Sequence, residues 1–413
     1  MVRVKPFAAL RPPKDIVGEV AAPPYDVLSS VEAARLAGEK SLLHISRPEI
    51  DFSPIASEDE PRCFERCASN FAEWQKKGWL RKDPRECYYL YELTMQGRSQ
   101  LGIILCANTE DYRKGVIKRN ELTREDKENN RKAHIALLNA NLGPALYAFR
   151  DNKELEGIMA KTAQAEPEYD FTDENGVNHR LWVMDDAQTI ETVTGIFASS
   201  VDAFYIADGH HRSAAAVRVC EERRKANPTH DGSEEYNWML AVCFPESQLR
   251  IMDYNRVVED LNGLSAEEFL SRLEDDFVVE CKGSKACRPD SERKFSMYLE
   301  GQWYSLSVKN GRCAGDDPVQ SLDASLLNTL VLDAILGIKD LRHDRRIDFV
   351  GGVRGLSELK ARVDSGEMKV AFALFPVSMR QLMTIADNSE VMPPKTTWFE
   401  PKLRSGLAIH SLI

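Results

Sequence analysis

Positive charge is in short supply in this chain. Its 413 residues carry 54 Lys and Arg against 65 Asp and Glu, a net charge of -11 and a pI near 5.4. Sequence-independent affinity for a polyanion comes from lysines and arginines that neutralise phosphates. No basic run of the needed density occurs, so a nucleic-acid partner is not expected. A stretch of roughly 18 apolar residues, the length of a membrane span, is also missing. The opening Met1-Val2-Arg3-Val4-Lys5-Pro6-Phe7 has no continuous apolar region of the signal-peptide kind. A cytoplasmic protein without a membrane partner is expected. CxxC is absent as well. The nine cysteines, Cys313 among them, lie mostly in apolar or amphipathic stretches and read as small core residues in a reducing compartment.

What is present points to two regions of mixed type. The length exceeds one ordinary core, and the composition changes near 262, which predicts a core domain over 1–261 and a second α+β region over 262–413. An amphipathic helix is expected over 61–78, with Phe64, Cys67, Phe71 and Trp74 on one face and Gly78 at its end. Hairpins are expected at 88–106 and 295–308, around Gln96-Gly97 and Glu300-Gly301. The acidic stretch 151–178 reads as surface turns, and 322–336 as one apolar helix. Strands interleave with helices and hairpins, so the fold class is α+β with a mixed sheet.

Asp208-Gly209-His210-His211-Arg212 is the strongest chemical signal. An apolar strand leads into it and a helix is expected from Ser213. The free amides and dipole of that helix favour an anion. Asp208 suits a divalent metal or a base, and Gly209 a close backbone approach. His210 and His211 can donate to phosphate or move protons near neutral pH. Arg212 can grip phosphate with two parallel bonds. Capping explains Asp208, but not a consecutive His-His-Arg.

The second signal is the segment 392–406. Lys395, Lys402 and Arg404 alternate with Thr396, Thr397 and Ser405 in a loop stiffened by Pro393, Pro394 and Pro401, either as an anion site or as a strap. Pro23-Pro24-Tyr25-Asp26 is a further stiff loop. Glu49 beside Arg47 offers a base or a salt bridge. Gly351-Gly352-Val353-Arg354-Gly355 offers a phosphate loop or a tight turn, but not a P-loop, since no Gly-Lys-Ser/Thr follows. Arg131 falls on a charged helix that reads as a solvated face.

Taken together, Lys5-Pro6-Phe7, Pro23-Pro24-Tyr25-Asp26-Val27, His44 with Arg47-Pro48-Glu49, Asp208 to Arg212, Arg256-Val257-Val258, and Met392-Pro393-Pro394-Lys395 to Gly406-Leu407 resemble domain-of-unknown-function family 1015. That family usually has His-Glu-x-x-Thr where this chain has Asn120-Glu121-Leu122-Thr123. The Asp208–Arg212 turn is also similar to the phosphate signature of ParB-like and sulfiredoxin-like domains, one branch of which phosphorylates free L-serine. The resemblance implies a ParB/sulfiredoxin-like core and a phosphotransferase acting on a small-molecule hydroxyl, free L-serine first. It further implies Mg²⁺ on Asp208 and a nucleotide or pyrophosphate as donor. Asp208, His210, His211 and Glu49 would be catalytic, with Glu49 or Asp26 as the general base. Gly209, Arg212, Ser213, Lys395, Thr396, Lys402 and Arg404 would hold the donor. A homodimer is compatible with this reading, and the alternatives are a ParB-like nucleotide-binding regulator and a metal-dependent phosphohydrolase.

Overall fold

The computed structural model describes residues 1–312 and 317–413, so Cys313 lies outside the described residues. The chain is a mixed α+β protein of two compact units. The first comprises residues 1–119, 123–249 and 401–413, and the second residues 120–122 and 250–400.

A nine-stranded sheet organises the first unit. Its strands follow the spatial order Ile117–Lys118, Phe204–Asp208, Ala145–Phe149, Trp238–Pro245, Arg98–Asn108, Tyr88–Met95, Asn178–Met184 and Tyr169–Thr172, with Val4–Lys5 also on Arg98–Asn108. Two neighbouring pairs are parallel, Trp238–Pro245 with Ala145–Phe149 and Phe204–Asp208 with Ile117–Lys118. The hairpin at 88–108 turns on Gln96 and Gly97, whose φ values are 51° and 76°. Two consecutive positive φ angles give the turn whose twist matches that of paired strands. Helix Pro61–Lys76 starts with proline and buries Cys63, Cys67, Phe71 and Trp74. Their spacing of three to four residues keeps them on one face.

The second unit is built on a six-stranded, wholly antiparallel sheet in the order Phe277–Gly283, Gln302–Val308, Lys294–Leu299, Val370–Leu374, Tyr254–Val258 and Ile347–Gly351. Because side chains alternate along a strand, the sheet feeds two separate cores. Val258, Phe295, Met297 and Phe372 pack with Phe269, Leu273 and Leu327. Val257, Tyr298, Ala371 and Ala373 pack with Leu359.

Several expectations meet a different outcome. Tyr254–Val258 pairs on both sides with strands of the second sheet, so the chain enters that unit at Arg250 rather than at 262. Residues 401–413 rejoin the first unit through backbone bonds of Ser405 with Ala22 and Ile409 with Leu10. The stretch 151–178 contains helix Lys153–Thr162, capped by Asn152 and burying Leu155 and Met159. Its acidic surface residues hide that short apolar stripe. The helix expected over 322–336 is α-helical at Asp323–Leu327 and continues as a π-helix over Asn328–Asp333. Six cysteines are buried, Cys287 is partly so, and Cys281 is exposed. Among the described residues no helix is long and apolar enough to cross a membrane.

Candidate functional site

The site begins with a strand that changes register at its end. Phe204 to Ala207 are buried, and the pairing with Ala145–Phe149 runs Ile206 with Tyr147 and then Asp208 with Leu146. Ala207 is the extra residue, and a bulge of this kind re-aims the side chain that follows it. Gly209 then takes φ +89°, and a Cβ there would lie 3.0 Å from Ala145 Cα and 3.1 Å from Arg212 Nε. Backbone angle and lack of space both require glycine. Helix His210–Ala226 starts at once and packs Ala215, Ala216, Val217 and Val219 into the core.

Charged groups meet at this turn. Asp208 Oδ2 accepts from Lys402 Nζ at 3.1 Å, and Oδ1 faces Arg212 Nη2 at 3.4 Å. Burial would raise the Asp208 carboxyl, but Lys402 and Arg212 outweigh it and hold it well below the usual carboxylate range. Burial pulls the His210 imidazole down to about 4 against the attraction of Asp208. His211 is lowered by burial too, and its Nε2 accepts the Arg124 backbone N–H at 3.0 Å. An accepting Nε2 leaves the proton of the neutral ring on Nδ1. Arg212 donates to the Pro144 carbonyl, while its Nε is buried without a partner.

Arg212 also lines a cavity of about 50 Å³ shared with Tyr25, Ser46, Arg131, His134, Asn141 and Ser405, and walled by Ile135, Leu138 and Leu142. That is several times the space one buried water needs. No acidic residue lines it, and two arginines do. Arg131 is 8% exposed, and its guanidinium lies 3.9 Å from the centre of the Tyr25 ring. Burial lowers its pKa and raises the Tyr25 phenol to about 12. Arg47 holds the Tyr25 loop in place by donating to the carbonyls of Tyr25 at 2.6 Å and Leu28 at 2.8 Å.

Of the residues singled out in the sequence, Asp208, Gly209, His210, His211, Arg212 and Lys402 come together. Ser213 turns inward, with its hydroxyl 2.7 Å from Tyr147 Oη and 3.1 Å from the Gly209 carbonyl. Arg404 pairs with Asp173 and, at 2.8 Å, with Glu174, which makes it part of the strap. Glu49 is buried and bonded to Arg47 Nε at 2.6 Å and Ser30 Oγ at 3.1 Å, so it steadies the residue that holds the Tyr25 loop. Lys395 and Thr396 belong to the second unit, where Lys395 lies over the Tyr254 ring and Thr396 donates to the Pro393 carbonyl.

Arg131 is not on a solvated face. It shares the buried stripe of helix Glu125–Leu138 with His134, Ile135 and Leu138. That spacing of three, four and seven residues was visible in the sequence, although a cation in an apolar stripe is unusual. Ser46 carried no comparable signal, and Ser405 only that of its place in the 392–406 loop.

As for metals, no group of three or more His, Cys, Asp or Glu is arranged around an ion among the described residues. Asp208 supplies one carboxylate, which fits Mg²⁺ only in the manner it takes with nucleotides, held by one or two carboxylates plus ligand phosphates.

No curated protein matches the chain. Three solved structures share parts of its arrangement. A conserved hypothetical protein from Pyrococcus furiosus is 12% identical, with a TM-score of 0.36, over 74% of this chain and 94% of its own. A free serine kinase in complex with AMP is 11% identical, with a TM-score of 0.35, over 74% and 91%. SbnI with a C-terminal truncation, from Staphylococcus aureus, is 10% identical, with a TM-score of 0.36, over 74% and 86%. The pattern of the family described as "Protein of unknown function (DUF1015)" matches residues 4–325, most of the sequence and the whole of the Asp208–Arg212 turn, and the chain belongs to that family.

Proposed function

We propose that the protein is a phosphotransferase, with a nucleotide or pyrophosphate as donor and a small-molecule hydroxyl, free L-serine first, as acceptor. The observation that carries this reading is a cavity lined by Arg131 and Arg212, with no acid in its wall, adjoining a turn where Lys402 and Arg212 share Asp208. Phosphoryl transfer asks a protein mainly to position groups and neutralise charge. Arg212 and Lys402 hold the donor phosphates, exchanging part of their contact with Asp208 for phosphate oxygens. Mg²⁺, when bound with the donor, adds further neutralisation, with Asp208 as its protein carboxylate. The neutral His211 ring, with its proton on Nδ1, donates to a phosphoryl oxygen.

The charge of Asp26 acts on Tyr25, Arg131, His211 and Arg212 alike, and its side chain is exposed. Asp26 is the proposed acceptor of the substrate proton, because Glu49 is already committed to Arg47. In the step itself the acceptor oxygen bonds to the transferred phosphorus. The bond from that phosphorus to the donor oxygen breaks, its electron pair leaves with the donor, and the hydroxyl proton passes to Asp26.

Phosphorus NMR with Mg²⁺, L-serine and ATP, ADP or pyrophosphate in separate tubes tests the proposal. A new phosphomonoester in one tube supports it and names the donor. Donor loss without that signal replaces it with a phosphohydrolase, and donor binding without any turnover replaces it with a nucleotide-responsive regulator.

A further inference from the structure

We infer that the cavity beside the turn is the acceptor subsite and that Arg131, with Ser46, grips a carboxylate of the acceptor, so that the substrate is a short hydroxy acid or hydroxy amino acid. This rests on the phosphotransferase reading of the same site. The argument starts from the five N–H donors of an arginine. In Arg131 both Nε and Nη2 donate to Asn130 Oδ1, Nε at 2.9 Å, and Nη1 reaches only the Ser46 carbonyl, at 3.4 Å. Three donors are used and two remain. None bonds a carboxylate of the chain, and the charges of Glu58 and Asp26 act on Arg131 only through space, although the side chain is buried. A buried cation is retained at such a cost only where something compensates it. The two remaining donors can take a carboxylate with two parallel bonds.

The surroundings select the partner. The Tyr25 ring covers one face of the guanidinium, so further contacts are directed in its plane. The Ser46 hydroxyl is buried, belongs to the same cavity wall and has no hydrogen-bond partner. Ile135, Leu138 and Leu142 supply an apolar wall that suits a few carbon atoms. At about 10–15 Å³ of such space per water, the cavity of about 50 Å³ takes a group of roughly four or five heavy atoms, such as a carboxylate with its neighbouring carbons, and not the bulk of a nucleotide.

Calorimetry on the intact protein separates the two halves of the site. The probes are ADP with Mg²⁺, four acids (L-serine, L-threonine, D-glycerate and L-lactate), and ethanolamine, which keeps the hydroxyl but has no carboxylate. At least one acid is expected to bind and ethanolamine is not. Arg131→Lys should weaken that acid about a hundredfold and Ser46→Ala about tenfold, as expected for bonds to a charged group, while ADP affinity stays within threefold. Ser46→Ala removes a hydroxyl that bonds to nothing in the fold, so it remains readable if Arg131→Lys does not fold. The inference is overturned if no acid binds while ADP does, if ethanolamine binds as well as the acids, or if Ser46→Ala leaves acid affinity unchanged. Equal loss of ADP and acid in Arg131→Lys would also overturn it, by making Arg131 a donor-phosphate group. Absence of ADP, ATP and pyrophosphate binding in the unaltered protein would instead remove the phosphotransferase reading itself.

Discussion

Two glycine-bearing turns, one in each unit, carry a strand into a helix, and the space around them is used in opposite ways. At Asp208-Gly209-His210-His211-Arg212 the glycine is pressed against Ala145 and Arg212, and the adjoining space is a cavity with two arginines and no acid. At Gly351-Gly352-Val353-Arg354-Gly355 the space is taken by the protein itself. A Cβ on Gly351 would lie 2.8 Å from the Trp398 ring, and one on Gly352 would lie 2.3 Å from Asp253 Oδ1 and 2.7 Å from its backbone oxygen. Gly352 N also donates to that oxygen at 2.7 Å. The second turn therefore holds the chain's own carboxylate and indole where a phosphate loop would leave room for a ligand. Arg354 points outward, with 65% of its side chain exposed and Glu358 3.7 Å away. The local pattern of strand, glycine, arginine and helix is shared. What fills the concavity is not.

The largest expected difference between the turns is in ligand binding. Arg212→Ala should weaken ADP by about a hundredfold or more, the cost of losing a charge-assisted pair, whereas Arg354→Ala should leave it within twofold. Calorimetry on both variants checks this, and an equal loss in the two would erase the functional contrast.

Acid should expose the next difference. The His210 pKa is about 4 in the fold, against about 6.5 in the unfolded chain. Between these values the unfolded state binds the extra proton, so stability is full above about pH 6.5 and falls as pH drops towards 4. The contribution is on the order of 3 kcal/mol at most. His210→Gln should flatten urea-unfolding free energies in that window, and an unchanged slope would show that His210 is more accessible to solvent than its burial implies.

Gly209→Ala and Gly352→Ala should each destabilise by roughly 1–3 kcal/mol, through a strained φ with crowding in the first case and crowding alone in the second. Only the first should also reduce ADP affinity. Thermal melts with a binding titration separate the two effects. The smallest change belongs to the hairpins, where Gln96 and Glu300 stand at φ 51° and 47°. Gln96→Asn and Glu300→Asn should each stabilise by less than about 1 kcal/mol. Equal gains would show that the units differ in their sites and not in their turn chemistry.

Much of the candidate site's local geometry was legible because its signal is contiguous. Five consecutive residues after an apolar run mark the strand, the turn and the start of the helix. A cation in a charged run predicts solvent, and only the buried stripe that Arg131 shares with His134, Ile135 and Leu138 corrects that expectation. Composition groups Arg404 with Lys402 in one basic loop, yet the two reach different carboxylates, Asp173 and Asp208. A loop's composition does not say where each side chain lands.

The local elements follow from short windows of the chain. Period-two and helical spacing, Gln96-Gly97, Glu300-Gly301 and the Asp208–Arg212 turn all act through neighbours within a few residues, and near-neighbour sterics and hydrogen bonding fix them. Long-range packing alone sets that Tyr254–Val258 joins the second sheet, that residues 401–413 return to the first unit, and that Tyr25, Ser46, Arg131 and Arg212 line one cavity. Those choices depend on contacts between residues far apart in the chain. Their energies come from shared burial and charge balance, which no short window of sequence contains.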